Sequence, residues 1–455
     1  MKDHSQLNLK LEKDDNRLLK SMKDGNFLVI FEVDTPLANC NIETVTSRYS
    51  PFLKAVNSIE GFKSGLAITD RKHSSECMDI LDFANEFCLE NRSDHLLFIS
   101  GRNKTKNSIA DLIKSCWASG FHNIVPVSGT IYKDETLKNM TGISFYESAE
   151  VISSMREDLQ NNPLLNIGSV VNPFKYSQET IHTQYYKLIK KLNLGARFVI
   201  AQSGWDILKY QELRWYLENR NYFDPCLASI TMLSPEKIEK IISGYYRGVF
   251  FSPDCLNSLN KESRLSTSQF WAAQWRRFQL YVAGLRWMGY NGVVISGLDS
   301  EYQVNIAVSR ITSILKDISS FDNWREIYRG FLSRSEMAPY PFKYYIYKNL
   351  LEENYFDKAE LTVKDVRKCS RKERLTFNFS KLKKELFPGQ KRMLNSNDIA
   401  SSFYLSSKLC PKGMIHGSCG ETNHDNTCCL CPAKECLYSR LFRLASWRKN
   451  FEPFE

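Results

Sequence analysis

The sequence predicts an α/β fold, a (β/α)8 TIM barrel followed by a helical extension and a small, separate cysteine-rich C-terminal module. Three observations predict it. Short apolar, β-branched runs alternate with longer amphipathic segments from residue 27 to about residue 318, the pattern of parallel strands joined by crossover helices. There are eight such runs, the number that closes a barrel. Beyond them, six of the thirteen cysteines crowd between Cys410 and Cys436.

The strands are expected at 27–33, 64–70, 95–100, 123–129, 166–171, 197–202, 226–233 and 292–298. Between the fifth and sixth, Ile181, Tyr185, Leu188 and Leu192 recur at helical spacing, and Gly195 supplies the stop. One face of that helix goes to the sheet and its lysines face water or a ligand. The longest helix is expected over 268–289, where Phe270, Trp271, Trp275, Phe278, Val282 and Leu285 read as packing residues. After about residue 320 the alternation stops. Residues 1–319 are therefore assigned to the barrel, 320–394 to a helical extension with a basic linker, and 395–455 to the cysteine module.

The composition, 43% hydrophobic and 25% charged, is that of a folded soluble protein. The first twenty residues are too charged for a signal peptide and no apolar run reaches spanning length, which places the protein in the cytoplasm, away from membranes. The formal charge of +10 is concentrated in the stretch from Lys364 to Met393. With no nucleic-acid-binding pattern around it, that stretch reads as a solvated linker surface, and the charge balance suits an anionic small molecule as well as it suits nucleic acid.

In a barrel of this type the active site lies at the C-terminal ends of the strands. There the sequence reads VIFEVDTP with Glu32, ITDRK with Thr69, HLLFIS beginning with His95, VPVSGT with Gly129, and LGARFVIAQSGWD with Gln202. In order and spacing these resemble the methylenetetrahydrofolate reductases over roughly Phe27 to Ser319. The resemblance implies a flavoprotein oxidoreductase of one-carbon metabolism. A flavin (FAD or FMN) would take a hydride from NAD(P)H and pass it to 5,10-methylenetetrahydrofolate, giving 5-methyltetrahydrofolate. It further implies Glu32 as the catalytic acid, protonated through partial burial. Thr69, His95, Gly129, Lys190 and Lys191 would stand around the flavin, and Gln202 would bind the folate.

The sequence also departs from the family pattern. Ser128, Gly129 and Thr130 replace an RGD, with loss of an aspartate. Asn172, Pro173 and Phe174 replace a YPE-like turn; Ile238, Ile242 and Ser300 replace a glutamine, a phenylalanine and an arginine. The alternative reading is accordingly a repurposed, non-catalytic barrel that binds folate or a partner reductase and uses its module for assembly or electron relay.

Cys410, Cys419, Cys428 and Cys436 resemble the C-terminal extension of some bacterial reductases and the small subunit of acetogen-type reductases. Thiolates suit zinc or an iron–sulfur cluster, and Cys429, Cys431, His416 and His424 are spare donors. With few large apolar side chains outside the cysteine loop, the module is expected to need a metal staple.

Overall fold

Residue parity decides which strand side chains fill the barrel and which face its helices, because successive side chains of a strand point to opposite faces. In the computed structural model Leu28, Ile30, Ala67, Leu96, Val125, Phe198, Ile200, Leu227 and Val294 form one interior cluster. Their neighbours Val29, Phe31, Ile68, Leu97, Val199 and Val293 pack outward against the helices. The structure describes residues 16–454 apart from 89, 133–134, 136–141, 250, 332–343, 352–358, 363–367, 387–397, 401–404 and 424.

All eight expected strands are present: β1 (Leu28–Asp34), β2 (Lys63–Thr69), β3 (Leu96–Ser100), β4 (Asn123–Val127), β5 (Asn166–Val171), β6 (Phe198–Ala201), β7 (Cys226–Thr231) and β8 (Gly292–Ser296). They close in sequence order into a parallel barrel. The seam is the pairing of β1 with β8, from Leu28↔Gly292 to Phe31↔Ile295.

The helices through the barrel are α1 (Arg17–Lys23), α2 (Ile42–Asn57), α3 (Ile80–Phe87), α4 (Lys106–Ala118), α5 (Ser148–Ser154), α6 (Arg156–Asn161), α7 (Gln178–Asn193), α8 (Ile207–Glu218), α9 (Pro235–Ile242), α10 (Pro253–Ser263), α11 (Thr267–Trp287), α12 (Glu301–Asp317) and α13 (Phe321–Phe331). At the N-terminal end, α1 plugs the barrel with Leu18 and Met22, which join the interior cluster. Asn16 caps α1 and ties it to β4 through Asn123 at 2.9 Å. The aromatic stripe of α11 is packing, as its spacing predicted: Phe270, Trp275, Phe278, Val282 and Leu285 are buried. Trp324 of α13 covers it and donates to Leu280 O at 2.7 Å.

Two expectations change beyond the barrel. The basic linker contains α14 (Arg371–Leu386), whose Phe377 is buried edge-on against Trp447. Neither is the cysteine module separate. Its helix α15 (Leu437–Arg448) lies on α7, where Phe442 stacks on His182 with centroids 5.5 Å apart and Phe454 meets Tyr186 at 5.4 Å. Leu437, Tyr438, Leu441, Phe442, Leu444 and Ala445 bury a core with Met414, Leu405 and Phe377. That apolar core is larger than the cysteine-rich sequence suggested.

Candidate functional site at the C-terminal face

The inward parity that buries Leu28 and Ile30 brings Glu32 to the top of the barrel, and the same step of two operates on every strand. Ala67 leads to Thr69, Phe98 to Ser100, Val127 to Gly129, Val170 to Asn172, Ile200 to Gln202, Ser229 to Thr231 and Val294 to Ser296. These upper residues form a polar ring around a cavity of about 350 Å³, with Phe98, Val170 and Ile200 in its floor. An apolar floor with a few convergent polar groups is the usual construction of a small-molecule site.

Around this ring the charges are held in networks. Lys72 is ion-paired with Glu32 and reaches Asp34 at 3.2 Å, while Thr69 Oγ1 donates to Asp34 at 2.6 Å and His73 lies 2.9 Å from it. Burial opposes the charge on Asp34, yet Lys72 and His73 prevail and hold its carboxyl well below the usual range. Lys72 is raised, its two carboxylate partners outweighing burial. Next to them, Asp70 accepts from Ser100 N at 3.2 Å and pairs with Arg71 and Lys104.

One wall comes from α9 and the segment after it, with Lys237, Ile241 and Tyr246, and another from the cysteine module. Residues 418–421 lie over β4, β5 and β6 and line the cavity together with Lys412. Gly420 O accepts from Asn172 at 2.8 Å and from Lys175 at 3.0 Å, and Gln184 donates to Ser418 O and Cys419 O. Glu421 accepts from Thr130 Oγ1 at 2.6 Å and pairs with Lys412 at 3.0 Å; Lys412 also donates to Gly129 O at 2.9 Å. Gly129 has φ +95°, and a Cβ there would stand 2.8 Å from Ser100 Oγ, so the turn that presents its carbonyl to Lys412 requires glycine. On the α7 side, Glu147 pairs with Lys187 and accepts from Ile415 N and His416 N.

Residues 17–241 match the family model described as methylenetetrahydrofolate reductase. Over that span, from α1 through β7 into α9, the chain is similar to that family. No curated protein matches the chain. Among solved structures, an uncharacterized protein from Clostridium thermocellum that binds two copies of 5-methyl-5,6,7,8-tetrahydrofolic acid is 13% identical; the match covers 66% of this chain and 99% of that one, with a TM-score of 0.47. A protein from Aquifex aeolicus VF5 is 10% identical, with coverage of 67% and 94% and a TM-score of 0.34.

Of the residues that the resemblance to methylenetetrahydrofolate reductase singled out, Glu32, Thr69, Gly129, Lys191 and Gln202 all line the cavity. His95 does not. It precedes β3 at the opposite end of the barrel, is fully buried, and its Nδ1 accepts from Leu66 N at 3.0 Å. Burial lowers its pKa to about 4, so it is a neutral structural histidine. Lys190 is also off the cavity; the lysines of α7 that reach it are Lys187 and Lys191, one helical turn apart. Burial and the nearby Lys187 lower Lys191 to about 7, and its ammonium donates to Val170 O. Glu32 is half-buried in an ion pair with Lys72 rather than lodged on an apolar rim.

The departures from the methylenetetrahydrofolate reductase pattern have structural roles. Asn172 holds the module loop, and Phe174 packs edge-on against Tyr210 at 5.2 Å. Ser300 caps α12, Ile238 is buried, and Ile242 is exposed outside the cavity, which Ile241 lines instead. The strand-four end that lacks an aspartate receives the carboxylate of Glu421 from the module.

The four proposed ligand thiols occupy one region, although no group of three or more His, Cys, Asp or Glu side chains among the described residues is arranged to hold a metal. Thr422 Oγ1 lies 4.0 Å from Cys419 Sγ and 3.9 Å from Cys436 Sγ. Cys429, which the pattern treated as spare, lies beside Cys419 and Cys428 and is the main cause that lowers both thiols, while its own Sγ donates to Glu421 Oε2 at 3.7 Å. His424 lies outside the described residues. No described helix is long and apolar enough to cross a membrane.

Proposed function

We propose that the chain binds a reduced folate at the top of its barrel, as a methylenetetrahydrofolate reductase relative whose cysteine module forms one wall of the site. The observation that carries this reading is the polar ring over an apolar floor. Gln202, Ser100, Thr231 and Glu32 offer donors and acceptors to the edge of a pterin, while Phe98, Val170 and Ile200 offer a surface to its ring. A volume of about 350 Å³ is near the lower end for ligand sites and suits one fused-ring headgroup at a time. This favours a binding barrel over a site in which a flavin and a folate stack together.

The second reading is the flavin-dependent reductase, and the position of Glu32 at the end of β1 favours it. Thr69, Gly129, Lys191 and Gln202 would then hold the flavin, which when bound supplies the hydride acceptor and donor. For the module, zinc or an iron–sulfur cluster at Cys410, Cys419, Cys428 and Cys436 is supported by the clustering of these thiols and by the softness of thiolate ligands. A partner reductase or electron-transfer subunit belongs to the same reading.

One preparation tests these readings: calorimetric titration with 5-methyltetrahydrofolate, with an absorption spectrum and metal analysis of the same sample. Saturable folate binding without a flavin spectrum is the expected result. No folate binding would overturn the proposal, and stoichiometric flavin would transfer it to the reductase.

A further inference from the structure

Six of the cavity-lining cations are already engaged. Arg71 pairs with Asp70, Lys72 with Glu32, Lys187 with Glu147 and Lys412 with Glu421, while Lys191 donates to Val170 O and Arg247 to Cys429 O. Lys237 differs from all of these. Among the described residues its ammonium has no hydrogen bond and no carboxylate within ion-pair distance; the ring of Tyr246 lies below it, 5.3 Å from Nζ to the centroid.

Its placement is electrostatically costly. Lys237 is the third residue of α9, where Ser234 caps the helix by accepting from Lys237 N at 3.1 Å. A cation in the first turn opposes the positive end of the helix dipole. Burial and the repulsion of Lys72 act in the same sense and lower its pKa, outweighing the more distant pull of Glu32 and Asp34. A lysine held partly out of water, at a helix N-terminus, in the wall of a ligand cavity, is placed for an anion that arrives with the ligand.

We propose that Lys237 binds the anionic tail of the fused-ring ligand whose head occupies the polar ring. This rests on the ligand reading above and adds to it a specificity-determining contact. The anion has two chemical sources, the glutamyl carboxylates of a folate or the phosphate of a flavin mononucleotide. Tyr246 gives the tail an aromatic wall, and the helix N-terminus adds to the attraction.

The test uses the full chain and four ligands in calorimetry: 5-methyltetrahydrofolate, the corresponding tetrahydropteroate without glutamate, flavin mononucleotide and riboflavin. Losing a charge-assisted hydrogen bond lowers affinity about ten- to hundredfold. Lys237→Gln is expected to weaken 5-methyltetrahydrofolate by that factor, leave tetrahydropteroate unchanged, and be rescued in large part by Lys237→Arg. The same loss for flavin mononucleotide against riboflavin, without a folate effect, supports the anion site and assigns it to phosphate. If the pterin head binds but Lys237→Gln weakens tailed and tailless ligands equally, the tail contact is overturned while the folate reading stands. Binding of neither ligand pair to the wild-type protein overturns both.

Discussion

A histidine one residue before a strand faces outward when the next residue faces the barrel axis, and this parity separates His95 from the site. Leu96 belongs to the barrel interior, so His95 belongs with Leu97 and Ile99 on the outer side, at the end away from the cavity. A motif match carries no such direction. Counting in twos from the interior residues does, and it recovers Ser100, Thr231 and Ser296, which the motif comparison passed over, and Asn172, which it marked only as a departure. What no count within the barrel could supply is Lys412 or Glu421, because they reach the cavity through tertiary docking. The buried His95 also has a measurable consequence. Its pKa falls from 6.5 to about 4 on folding, so its neutral form stabilises the fold above pH 6.5, and that contribution is lost as pH falls toward 4. The loss is on the order of 3 kcal/mol at one pKa unit per 1.36 kcal/mol. Denaturant unfolding across this window should show His95→Asn less acid-sensitive than the parent, with folate affinity at pH 7 unchanged. A drop in affinity would return His95 to the site.

At the scale of elements, the eight strands and the helices between them were legible because each must bury a face against a neighbour, and that need writes a period into the sequence. The extension was less legible for the converse reason. Helix α14 carries Arg371, Lys372, Arg374, Lys381, Lys383 and Lys384 and reads as linker, yet Phe377 packs on Trp447 and Glu373 pairs with Arg443 at 2.9 Å, and these contacts fasten it to the module. The contact of the cysteine loop with α7 was equally hidden, since it depends on what is missing: Gly417, at φ +147°, lies so close that a Cβ would stand 2.8 Å from Lys187 Cβ. Gly417→Ala should therefore push the loop off α7 and loosen the Gln184 contacts, at about 1–3 kcal/mol for overpacking a close contact. Limited proteolysis should then cut the module faster while the far-ultraviolet circular dichroism of the barrel holds. An unchanged digestion pattern would show that the loop tolerates the methyl group.

At the scale of the whole molecule, the barrel and its cysteine module share a single cavity. Hydrogen bonds to the loop come from Asn172, Lys175 and Gln184, and Lys412 and Glu421 return contacts to Gly129 and Thr130. Deletion of residues from 395 onward should leave the eight strands folded, since their core is their own, but should open the cavity on the side of β4, β5 and β6 and weaken folate binding at least about tenfold, by the loss of one charge-assisted contact or more. Equal affinity in titrations of the deletion variant and the full chain would show that the module is no part of the site.

The cavity is thus assembled from regions far apart in the polypeptide, with Glu32 on β1 and Glu421 well beyond β8. On a ribosome, β1 to β8 emerge well before the loop that roofs them, by an interval of several seconds or more at roughly 5–20 residues per second. A barrel that folds in that time does so with its mouth open. The nascent chain can acquire its fold early, but it can retain a ligand only once residue 421 has been added and has found its place above β4.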